Sequence, residues 1–190
     1  MKYTITRQFS FTNEKFEIIS DSKMVCTVKA TPSKDYKGQF NIKLSNLTNK
    51  TIGNNSCIVE PDENQSRNYF IYSINHQSNE KILFGQLFYE LCNFNDYLYT
   101  IIIGEKLYTV RSSDLRNRRL AIIDILQSNN SSNTDENTTS NYPETLFQVI
   151  DSFSKTTKKY HVNIHKKEWP LGYLAITILL HLHESRRDKN

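Results

Sequence analysis

Apolar and polar residues alternate along most of this chain. The stretch "KFEIISDSKMVCTVKA" sets two alternating runs on either side of Asp21-Ser22-Lys23. A period of two puts one side of a strand in a core and the other in water, and the polar triplet is turn chemistry, so a hairpin is predicted. "FNIKLSN" alternates Phe40, Ile42 and Leu44 against polar neighbours, and "YFIYSIN" follows a loop. "YLYTIIIGEKLYTVRS" predicts a second hairpin turning at Gly104-Glu105. "RRLAIIDIL" is a further apolar run, and "TLFQVIDSFSKTTKKYHVNIHK" predicts a late hairpin across residues 154–158. "ILFGQLFYEL" is another candidate strand, although its periodicity fits a helix equally well.

Two stretches break the alternation in opposite ways. Residues 127–143, "QSNNSSNTDENTTSNYP", are polar and of low complexity. Such a segment cannot bury enough surface to offset its ordering entropy, and it predicts a flexible loop within one domain spanning residues 1–190. The end of the chain, "LGYLAITILLHLHESRRDKN", carries no charge over residues 171–182 and then turns basic at Arg186, Arg187 and Lys189. A membrane-spanning helix needs ~20 apolar residues, and this stretch is shorter. A helix that is apolar all round is otherwise one surrounded by protein. Pro170 suits its first turn, and the arginines suit the negative pole at its last. Many antiparallel strands followed by one apolar helix predict a mainly β fold. The expected form is a closed antiparallel β-barrel of about a dozen strands, with a core helix at about residues 170–185. Closure removes exposed strand edges, and the helix fills the interior.

Composition narrows the function classes. Over 190 residues the net charge is +4, which permits an anionic partner without demanding one. Cys26, Cys57 and Cys92 are odd in number and contain no CxxC pair, as expected of thiols in a reducing compartment. "MKYTITRQFSFTNEKF" lacks the apolar core of a signal peptide, so a cytoplasmic location is expected.

The chain shows no G-x-S-x-G elbow, Gly-rich phosphate loop or HExxH pair. His161 and His165 share a strand face, but no further ligands complete a zinc set. His181 and His183 are two apart, which on a helix points them in different directions. Neither catalysis, cofactor nor metal is therefore expected. The functional signal lies in basic clusters. Arg111, Arg116, Arg118 and Arg119 surround a turn between two strand-like runs, and Lys155, Lys158 and Lys159 sit in the late hairpin with Tyr160 beside them. Guanidinium and ammonium groups can donate charge-assisted hydrogen bonds to phosphate oxygens. The plainer reading is that each cluster is a solvated hairpin tip. Nucleic acid would call for a stronger basic stripe and stacking motifs, and neither is evident. The expectation is a non-catalytic binding module for an anionic phospholipid or other phosphate-bearing ligand, peripheral at a membrane. The alternative is a protein-interaction partner, adaptor or immunity-type, on the same scaffold.

The opening "YTITRQFSFTNEKFEIISDSKMVCTVKA", a strand followed by a hairpin, and the closing "PLGYLAITILLHLHE" resemble the Tubby C-terminal-like superfamily. The similarity is greatest to its small LURP-one-related and bacterial single-domain members. The resemblance implies repeated β-hairpins around a hydrophobic C-terminal helix lying along the barrel axis. It also implies phosphoinositide binding through basic residues on the barrel wall, as in Tubby proteins; phospholipid scramblases share the fold.

Overall fold

The computed structural model describes residues 1–8, 13–35, 38–46, 55–75, 77–93, 96–117, 120–125, 145–150, 159–164 and 169–187. Within them the fold is mainly β, with one long C-terminal helix. The strands are β1 Lys2–Gln8, β2 Glu14–Ser20, β3 Lys23–Pro32, β4 Phe40–Asn46, β5 Asn55–Pro61 and β6 Asn68–Asn75. They continue with β7 Lys81–Asn93, β8 Asp96–Ile103 and β9 Lys106–Arg111, then a short helix α1, Ser112–Asn117. β10 Leu120–Ile125, β11 Thr145–Ile150 and β12 Lys159–Ile164 precede the terminal helix α2, Pro170–Arg187.

Each strand pairs antiparallel with the next in sequence, and β1 also pairs with β12, Thr4 facing His161 across the ladder. Among the described residues the strands thus form one continuous antiparallel ladder. The ladder is thinnest between β9 and β10, where only Asp124–Thr109 and Ile125–Tyr108 are in register. Asp21 and Ser22 join β2 to β3 with φ of 49° and 62°, the left-handed pair that a two-residue hairpin requires.

Antiparallel pairing divides the sheet into two rims. Odd-numbered strands begin, and even-numbered strands end, along one of them, here called the entry rim. Trp169 precedes α2 at this rim. The far end of α2 reaches the opposite, exit rim, where Arg186 meets Glu14 at the start of β2 and lies over Phe40 at the start of β4.

α2 is buried on every side, as its apolar stretch predicts. Leu174, Ile176, Ile178 and Leu179 are fully enclosed by the inward residues of the strands, among them Ile5, Ile18, Leu44, Val59, Ile71 and Ile101. Burying each such side chain contributes ~1.5–3 kcal/mol, so helix and sheet depend on one another. None of the described helices is long and apolar enough to cross a membrane.

"ILFGQLFYEL", ambiguous by periodicity, forms β7. Its pairing with β6 shifts by one residue between Ile71–Gly85 and Tyr72–Leu83, leaving Phe84 without a partner position. This bulge turns Phe84 inward, onto α2. The turn expected around Arg111 and Arg116 is instead the helix α1. The Asp96 carboxylate accepts hydrogen bonds from Ser112 Oγ at 2.7 Å and Ser113 N at 2.8 Å, and so satisfies its first turn. The loop expected at residues 127–143 lies outside the described residues.

Candidate functional site

Of the expected site residues, Arg111, Arg116 and Lys159 are among the described residues. Arg111 ends β9 and is exposed, while Lys159 begins β12 and is exposed, with β10 and β11 between them. Arg116 lies in α1. Arg118, Arg119, Lys155 and Lys158 lie outside the described residues, as does His165. Burial pushes the Asp96 carboxyl upward, but hydrogen bonds from Ser112 and Ser113 and the charge of Arg111 outweigh this and hold it below the usual range.

Lys159 does contribute to a concavity on the outer face of β12, β1 and β2. Alternation points Lys159, His161 and Asn163 outward from β12, while Lys2 and Thr4 point outward from β1. The register brings them side by side: His161 opposite Thr4, Asn163 opposite Lys2, and Ile19 of β2 beyond Thr4. The concavity is lined by these side chains with Asp21 and Ser22 at the entry rim. Thr4 Oγ1 lies 3.1 Å from His161 Nδ1, which fixes the imidazole against the wall. Two ammonium groups, an imidazole, a hydroxyl and an amide can meet the oxygens of an anion. Asp21 sets a negative limit at one end.

Lys2 and His161 are absent from the basic clusters visible in the sequence. Their outward orientation is legible from alternation. Their proximity depends on pairing between the first and last strands.

Inside the sheet, polar groups gather around the last turns of α2. His181 is fully buried, stacked on Tyr160 with ring centroids 5.0 Å apart and edge-on to Phe16 at 6.0 Å. Burial and the nearby Arg7 charge depress its pKa to about 3. His183 points elsewhere, as helical spacing requires: Tyr69 Oη hydrogen-bonds its Nε2 at 2.9 Å, and the Tyr89 ring lies 4.4 Å away. Burial depresses its pKa to about 4. Tyr99 donates to Glu184 Oε1 at 2.5 Å. Over this layer, Glu14 binds Arg7 at 2.7 Å and Arg186 at 3.2 Å. These groups bind one another and fasten α2 to the wall. Among the described residues, no three His, Cys, Asp or Glu side chains are grouped to hold a metal.

No protein-family model, curated protein or solved structure matches the chain.

Proposed function

We propose that the chain is a non-catalytic binding module of Tubby-like architecture. In this reading the strand ladder is a closed barrel with α2 as its axis, and its outer wall takes an anionic phospholipid headgroup. The observation that carries the reading is the concavity on β12, β1 and β2, where Lys2, Lys159 and His161 converge with Thr4 and Asn163. Lysine supplies a mobile point charge for a phosphate, and the neighbouring hydroxyl and amide supply directional donors.

The test is cosedimentation with phosphatidylserine or phosphoinositide vesicles, with phosphatidylcholine vesicles as the neutral reference. Wild-type protein should bind the anionic vesicles at low salt and release as salt shortens the screening length to ~10 Å or less. Lys2→Gln/Lys159→Gln should weaken binding while folding normally. Arg116→Gln/Arg118→Gln/Arg119→Gln and Lys155→Gln/Lys158→Gln test the remaining basic clusters in the same assay. Wild-type protein that ignores anionic vesicles at low salt would refute the reading and favour a protein partner.

A further inference from the structure

The large apolar side chains left exposed are unevenly placed. Among the described residues they are Met1, Met24, Ile82, Leu83, Leu91, Leu107 and Trp169. Leu91 lies near the end of β7, at the exit rim. The other six belong to the entry rim: Met1 precedes β1, Met24 is in the first residues of β3, Ile82 and Leu83 in those of β7, Leu107 in those of β9, and Trp169 precedes α2.

A second pattern overlies the first. Lys2 adjoins Met1, Lys23 adjoins Met24, Lys81 adjoins Ile82, and Lys106 adjoins Leu107. All four lysines are exposed. The rim's acidic side chains are Asp21, Glu80 and Glu105, while Lys81 is held by Glu60 at 2.8 Å. Lys81 is thus neutralised by Glu60, and Lys2, Lys23 and Lys106 are the remaining lysines beside exposed apolar side chains on the described rim.

We infer that the entry rim docks end-on against an anionic bilayer, its apolar side chains entering the interface while the adjoining lysines remain among the headgroups. Trp favours this interfacial depth, and a lysine stem can lie along apolar surface with its ammonium in water. The exposed apolar residues occur on separate strand ends. A fluid lipid surface can receive such separated side chains, whereas a protein partner buries a contiguous patch. The wall concavity supports the same orientation, because Lys2, Asp21, Ser22 and Asn163 bring it to this rim. Docking end-on would place its mouth at headgroup level. The inference rests on the anionic-bilayer reading above and adds which face of the protein meets the bilayer.

Trp169 is the only tryptophan of the chain, so its fluorescence reports this rim directly. The full chain is titrated with phosphatidylserine–phosphatidylcholine vesicles, with and without acyl-brominated lipid. Docking by the rim should shift Trp169 emission to the blue, and brominated lipid should quench it. Ile82→Ser/Leu83→Ser and Met24→Ser/Leu107→Ser should each lower vesicle affinity about tenfold, with unchanged circular dichroism and melting. Binding of a soluble inositol phosphate should be unchanged in these variants and weakened in Lys2→Gln/Lys159→Gln. Vesicle binding without any change in Trp169 would overturn the rim inference and leave the wall reading standing. Trp169 quenching that persists in Lys2→Gln/Lys159→Gln, with no inositol phosphate binding, would retain the rim and remove the wall site. No vesicle binding at all would overturn both. Lipid-free self-association lost in Ile82→Ser/Leu83→Ser would overturn the inference in favour of a second copy of this chain.

Discussion

The Phe84 ring occupies the space in which any side chain at Gly172 would begin: a Cβ built there would meet ring atoms at 2.3–2.6 Å. The β7 bulge supplies the ring, and glycine in the first turn of α2 admits it. The strand irregularity and the helix glycine are therefore two halves of one contact. At an exposed helical position Gly→Ala would stabilise by up to ~1 kcal/mol. Here the clash should reverse the sign. Gly172→Ala should lower stability by roughly 1 kcal/mol in urea unfolding, and Phe84→Leu should restore part of the loss in the double variant. Gly85→Ala should cost more, because its Cβ would meet the Ile102 carbonyl oxygen at 2.5 Å and backbone yields less readily than a ring.

Acid should loosen the helix from its wall. His181 and His183 are held neutral in the fold, with pKa values near 3 and 4 against an ordinary 6.5. Below pH 6.5 the unfolded chain binds more protons than the native one, so their contribution is full above 6.5 and is lost as pH falls toward 4 and 3. Each should remove up to ~1.4 kcal/mol per pH unit within its window. The groups facing His181 are Tyr160, Phe16 and Arg7; those facing His183 are Tyr69, Tyr89 and Tyr99. Melting followed between pH 7 and 5 should fall steeply in wild type. In His181→Phe the slope should flatten by about one proton.

Glu14 should matter more than either of its arginines alone suggests. Its side chain is 12% exposed and binds both Arg7 and Arg186. Glu14→Gln removes the carboxylate that pairs with Arg7, 8% exposed, and should lower stability measurably. Arg186→Gln should cost less, since its side chain is 35% exposed and water screens the pair. Chemical denaturation of the two variants measures the difference.

Asp96 should prove a helix cap contributed by a strand. Asp96→Ala removes the acceptor for Ser112 Oγ, Ser113 N and Ser113 Oγ, and should lower stability by about 1–2 kcal/mol. Asp96→Asn keeps one carbonyl acceptor and should lose less. Amide exchange within α1 should rise in the same order.

Truncation before Trp169 should yield an insoluble or molten chain, because the sheet would lose the packing partners of its inward face. Leu179→Ala, at a fully buried position, should cost ~2–5 kcal/mol yet remain folded. A cooperative, soluble truncated protein would contradict the dependence of sheet on helix.

The sequence by itself marked most of the strands, because a period of two specifies a buried face whichever partner lies alongside; it left β7 open between strand and helix and did not mark β5. It also determined that α2 would be buried, since residues 171–182 leave the helix no charged face for water, and that His181 and His183 would diverge. Tertiary structure alone decided which strands became neighbours. Thr4 meets His161 across more than 150 residues of chain, and alternation is identical for every possible partner. Lys159 was therefore visible as a basic residue, while its union with Lys2 and His161 was not. The Phe84 bulge, the Asp96 cap of α1 and the gathering of Met24, Ile82, Leu107 and Trp169 at one rim are of the same kind. Each depends on strand register and direction, which are set by contacts among distant residues and leave no period in the sequence.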